Sequence, residues 1–136
     1  MKRLLFGILI ALLLGCSQPG KFYCINNSGH PIVVGYKQTS FRKTIAPGET
    51  ALVPYDPSLL IWWEGVAHRV KWRGPSQLKD FYAFGKTTEP FAVSLEADNS
   101  IYAHRMNKAT PLAEVPAQPP GFPLVPEIAM DVTGTP

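Results

Sequence analysis

Three histidines, His30, His68 and His104, and two serines, Ser76 and Ser94, are the side chains of this 136-residue sequence best suited to proton transfer, nucleophilic attack or metal binding. Each histidine stands alone, with no second ligand at metal-binding spacing. Ser76 follows Pro75, Ser94 lies in a strand-like run, and neither has a base at readable distance. There is no nucleophile elbow and no glycine-rich phosphate loop. The expectation is therefore no catalytic residue, no metal and no cofactor. A hydrolase or a zinc centre would need the histidines to converge from separate strands.

Recognition chemistry is easier to find. In "LLIWWEGVAHRVKW", residues 59–72, Gly65 suits the first central position of a type II′ turn, which predicts a two-residue hairpin loop at Gly65-Val66. Trp63 then opposes His68, Trp62 opposes Arg69 and Ile61 opposes Val70, and opposed residues share a face. One face collects Leu59, Ile61, Trp63, Val70 and Trp72, with His68 at its margin, and reads as core. The other collects Leu60, Trp62, Glu64, Ala67, Arg69 and Lys71, with Arg73 beyond. Trp62 is expected on the outside under the Arg69 guanidinium, a contact worth ~0.5–1 kcal/mol at an exposed site. Trp62, Arg69, Lys71 and Arg73 thus form an amphipathic basic strip. It can serve the hairpin alone, or receive an anionic headgroup, a lipid A phosphate, a glycan or a partner protein.

These residues need a scaffold, and the chain supplies short apolar runs broken by turn signals. "KFYCIN", "HPIVVGYK", "SFRKTIA", "ETALVPY", the hairpin, "PFAVSLE" and "SIYAHRM" are separated by Asn26-Asn27-Ser28-Gly29, Pro47-Gly48, Asp56-Pro57 and Asp98-Asn99. Pro47-Gly48 fits the centre of a type II turn. Such spacing, without a long helical period, predicts an all-β fold: a small antiparallel β-sandwich of immunoglobulin-like architecture with about seven or eight strands. Only "GPSQLKDFYAFGK" is ambiguous, and its Leu78, Phe81 and Tyr82 spacing favours a short helical turn.

Residues 109–136 differ in composition, holding seven of the 14 prolines, six of them in "TPLAEVPAQPPGFPLVPEIAM". Proline at this density is expected to stay out of sheets and helices and to favour an extended or disordered tail. Its apolar content leaves open a second role, as a strap docked on its own domain or on a partner.

The N-terminus, "MKRLLFGILIALLLGCS", has a charged start, an apolar run from Leu4 to Leu14 and then Gly15-Cys16. Eleven apolar residues make a helix of about 16 Å, too short for the ~30 Å hydrocarbon core, so the segment reads as an export signal. Leu13-Leu14-Gly15-Cys16 resembles the lipobox of bacterial lipoproteins. The resemblance covers about the first 17 residues and implies cleavage before Cys16 and acylation at that residue. With Ser17 following, it points to the outer membrane. The organisation expected is a signal peptide at 1–15, a lipidated tether at 16–20, a sandwich domain at 21–108 and the proline-rich tail at 109–136. After lipidation Cys24 is the sole thiol, expected to be buried and inert.

Charge narrows the partners. Loss of Lys2 and Arg3 leaves 11 of the 13 basic residues against 10 acidic ones, a net of +1 that gives no support to nucleic-acid binding. The distribution is uneven. Residues 21–108 hold all 11 bases and seven acids, while the tail holds Glu114, Glu127 and Asp131 and no base. The sequence therefore predicts an envelope lipoprotein held at the membrane by its lipid and acting as a non-catalytic interaction or accessory module. A ligand-binding lipoprotein that recognises an anionic lipid or glycan is the alternative.

Overall fold

The computed structural model describes residues 20–72, 91–104, 117–132 and 136. The signal segment, Cys16, Arg73, Ser76 and the expected helical turn lie outside the described residues. Among those described, nine strands form two sheets: β1 (Lys21–Asn26), β2 (Ile32–Tyr36), β3 (Arg42–Ile45), β4 (Thr50–Pro54), β5 (Leu59–Trp63), β6 (Val66–Arg69), β7 (Phe91–Leu95), β8 (Ile101–His104) and β9 (Glu127–Ile128). The four-stranded sheet has the order β4-β1-β7-β8 and the five-stranded sheet β3-β2-β5-β6-β9. The fold is the expected small β-sandwich. Eight strands come from the predicted domain, and the ninth comes from the tail. Its pairing is antiparallel except between β1 and β7, which run parallel.

Alternation builds the core. Phe22 and Cys24 of β1, Val53 of β4, Val93 and Leu95 of β7 and Ile101 and Ala103 of β8 face Ile32, Val34, Tyr36, Ile45, Leu59 and Ile61 across the sandwich. At the end where the chain enters, the rings of Phe22, Tyr55 and Phe91 all meet Trp72, with centroids 5.1 to 5.3 Å away. At the other end, buried Asn26 satisfies itself fully. Its Nδ2 donates to the carbonyls of His30 and Ile45, and its Oδ1 accepts from the backbone and hydroxyl of Ser28. Gly48 has φ 80°, as the type II turn requires, and the Glu49 amide closes that turn on the Ala46 carbonyl at 3.0 Å.

The tail is where the structure departs most from expectation. Leu124 exchanges two backbone hydrogen bonds with Ile101, at 2.8 and 2.9 Å, and β9 adds to the edge of β6. Phe122 and Leu124 are buried in the main core. The segment thus crosses from the β8 edge of one sheet to the β6 edge of the other and closes that side of the sandwich. Proline density does not prevent this, because Phe122, Leu124 and Ala129 carry the donated amides while Pro119, Pro120, Pro123 and Pro126 take positions that need none.

Candidate functional site

The predicted strip needs two corrections. The hairpin turn is Glu64-Gly65, with φ of 51° and 75°, so both central residues have the positive φ of a type I′ turn. This turn matches the twist of the flanking strands, and it moves the register. Trp63 opposes Val66, Trp62 opposes Ala67, Ile61 opposes His68 and Leu60 opposes Arg69. Each strand has slid by two residues relative to its expected partner, so the division of faces survives while every opposed pair changes.

The second correction concerns Trp62, which is on the outer face as expected but only 3% exposed. It packs with Leu60, Ala67 and Ala129 of the tail, flanked by Val33 and Val132, as a second small core outside the sandwich. Its cationic partner is Arg42, whose guanidinium carbon lies 4.6 Å from the ring centroid. Gly35 makes that contact possible. A Cβ there would sit 2.6 Å from the Phe41 carbonyl oxygen and 2.7 Å from Arg42 Cδ, so any larger residue displaces the arginine. Arg42 Nη1 also donates to the carbonyls of Tyr36, Thr39 and Phe41, which fixes the guanidinium over the indole. The indole N–H of Trp62 is buried and has no acceptor among the described residues.

The cations of the strip meet acids of the tail. Arg69 and Lys37 both pair with Asp131 at 2.5 Å, and Lys71 pairs with Glu127 at 2.8 Å. Donation from Lys37 and then from Arg69 holds the Asp131 carboxyl down to about 2. The uneven charge of domain and tail is therefore expressed as contact between them. Arg69 and Lys71 also line a cleft of about 670 Å³ with Pro57, Trp72, Pro120, Gly121 and Leu124. The cleft opens at the end of the sandwich where Gly20 enters, since Gly20 bonds Tyr55, and Tyr55 and Phe22 both contact the Trp72 ring.

The histidines do not meet as one cluster. His68 stacks on half-buried Trp63 with centroids 3.4 Å apart and planes 7° apart, and His30 lies 6.1 Å from the same ring. Burial lowers the pKa of His68, against smaller raising contributions from hydrogen bonding to the Val66 and Ile61 backbone. His104 lies on the other sheet. There Ser94 hydroxyl donates to Glu96, Ser94 Oγ lies 2.5 Å from His104 Nε2, and Asn27 donates to Glu96 at 3.1 Å. Burial lowers the pKa of His104, partly offset by the Glu96 charge. No group of three or more metal-binding side chains occurs among the described residues.

Sequence reasoning missed this Ser94 cluster, although the signal was present. The Asp98-Asn99 turn pairs Ala92 with His104 and Ser94 with Tyr102, which puts Ser94, Glu96 and His104 on one face. Its order decides its chemistry. In a hydrolytic triad the imidazole stands between acid and hydroxyl, so that it can take the hydroxyl proton. Here the hydroxyl stands between acid and imidazole, its proton is directed to Glu96, and Ser94 is 0% exposed. Comparison of the chain with protein-family models, with curated proteins and with solved structures yields no match.

Proposed function

We propose that the chain is a bacterial envelope lipoprotein, anchored through Cys16 at the periplasmic face of the outer membrane, whose sandwich is a non-catalytic interaction or accessory module. The observation that carries this reading is the position of the cleft. Trp72, Arg69 and Lys71 open at the end of the sandwich where Gly20 enters, and only four residues separate Cys16 from β1. Four residues reach ~14 Å at most, which keeps this end of the domain within reach of the bilayer surface and of proteins embedded there. Two or three acyl chains, at ~0.8 kcal/mol per buried CH₂, hold such a domain stably. The hydroxyl-centred order of the Ser94 cluster favours a structural role for those side chains over a hydrolytic one.

Cross-linking with mass spectrometry on native membranes tests the reading. The wild-type chain is expected to be acylated, to fractionate with the outer membrane and to capture a specific envelope protein. Cys16→Ala is expected to leave the membrane fraction. A Cys16→Ala chain that remains acylated and membrane-bound refutes the anchoring, and reproducible cross-linking to no protein refutes the module. A second reading, that the cleft takes an anionic lipid headgroup or glycan, is favoured by its pairing of two cations with an aromatic wall. A flat tryptophan-fluorescence titration with phosphatidylglycerol vesicles and with glycans refutes that one.

A further inference from the structure

The tail is held unequally along its length. Gln118 clasps the Ala103 peptide from both sides, accepting from its N–H at 2.7 Å and donating to its C=O at 3.1 Å, and Phe122 and Leu124 enter the core. Beyond Leu124 the attachment changes in kind. Val125, Ile128 and Met130 are 71%, 61% and 87% exposed, β9 is two residues long, and one further backbone bond joins Ala129 to Ala67. The other attachments among the described residues are the three solvent-exposed ion pairs, which give little net stability in water, and the packing of Ala129 and half-buried Val132 on the satellite core. Within β9 and the residue after it, only the Ala129 methyl is buried against Trp62.

What lies beneath is better equipped than its cover. Leu60, Trp62 and Ala67 form an apolar floor, Arg42 holds the indole, Lys37, Arg69 and Lys71 hold the tail's carboxylates, and the Trp62 N–H is buried without an acceptor among the described residues. An unused buried donor is a standing cost that a ligand with a correctly placed acceptor removes.

We propose that residues 125–132 are an internal pseudo-ligand covering an acceptor groove, and that the groove's true occupant is an acidic, extended segment of a partner protein that adds to β6. The tail itself shows the chemistry that fits: backbone pairing with His68 and Arg69, a small residue over Trp62, and carboxylates for Lys71 and for the Arg69–Lys37 pair. Strand addition supplies affinity through the backbone, and charge selects the segment. This rests on the reading of the chain as an interaction module and is independent of its lipid anchor.

The test uses the full chain and a fluorescein-labelled peptide with the sequence of residues 123–133. Wild type is expected to bind it weakly, because its own tail competes. Glu127→Lys with Asp131→Lys loosens that tail and is expected to bind at least ten-fold tighter, and a further Arg69→Ala is expected to abolish the gain. A double variant that melts cooperatively yet gains no affinity overturns the proposal. So does a gain for phosphatidylglycerol vesicles in place of the peptide, which would assign the face to the membrane. Hydrogen exchange on wild type gives a reading independent of any variant. The Ala129 amide is expected to exchange at least ten-fold faster than those of Leu124 and Ile101, and equal rates would show that the segment does not open by itself. Failure to capture an envelope partner refutes the module, whereas failure of the peptide assay refutes only the groove.

Discussion

Replacing Trp62 with alanine separates two placements of one side chain. On an exposed hairpin strip the change costs at most about 1 kcal/mol, the value of an exposed cation–ring contact. In the satellite core, where Trp62 is 3% exposed between Arg42 and Ala129, truncation removes the burial of a large ring, and buried Trp→Ala changes cost ~3–5 kcal/mol. That figure already includes the contact with the guanidinium. Against it stands the buried N–H, whose removal returns ~1–3 kcal/mol. The mid-range values leave a net loss of about 2 kcal/mol, on the order of 10 °C in Tm for a domain of this size. Trp62→Phe keeps a ring under Arg42 and deletes the unpaired donor, so it is expected to remain within ~1.5 kcal/mol of wild type. Urea unfolding followed by circular dichroism measures both, with the slope checked for constancy. A Trp62→Ala midpoint indistinguishable from wild type refutes the burial. A Trp62→Phe loss as large as that of alanine refutes the account of the unsatisfied N–H.

Two further outcomes follow from shifted titrations. Asp131 is held at about 2 by Lys37 and Arg69, below its ordinary 3.8, so its contribution is complete above pH ~4 and disappears as pH falls through 2. Protection of the Ala129 amide, corrected for intrinsic exchange, is expected to fall across that window. In Asp131→Asn the change across that window is expected to disappear, and a wild-type profile in this variant counts against Asp131 as its source. Burial pushes the Cys24 thiol up to about 12, so Ellman's reagent at pH 8 is expected to leave the native chain unmodified and to react at the rate of unfolding when urea is added. Immediate modification of the native chain would place that thiol outside the core.

Local periodicity carried the fold a long way. Apolar alternation located eight strands of the domain, and period-two arithmetic divided the hairpin faces correctly even though the turn was placed one residue late. The parity of a strand is robust because any two-residue turn keeps opposed residues on one face, whereas the register depends on whether Glu64 or Gly65 begins the turn. The burial of Trp62 was not legible within the hairpin, because its cover comes from Arg42 on β3 and Ala129 near the chain's end. Composition pointed the same way only indirectly, through a basic domain followed by an acidic tail. The Ser94 cluster was legible in principle from one turn, but a search for bases close in sequence overlooks a partner ten residues away across a hairpin.

The insertion of Phe122 and Leu124 between the sheets also sets the order in which the molecule can be made. A polypeptide emerges from its amino end, so the two side chains that plug the open flank of the sandwich arrive after all the other core residues of β1 to β8. A nascent chain stopped short of them presents two sheets with a gap along the β8 and β6 edges. Completion of the sandwich is thereby tied to synthesis through Leu124, and a copy terminated before it remains open to proteolysis.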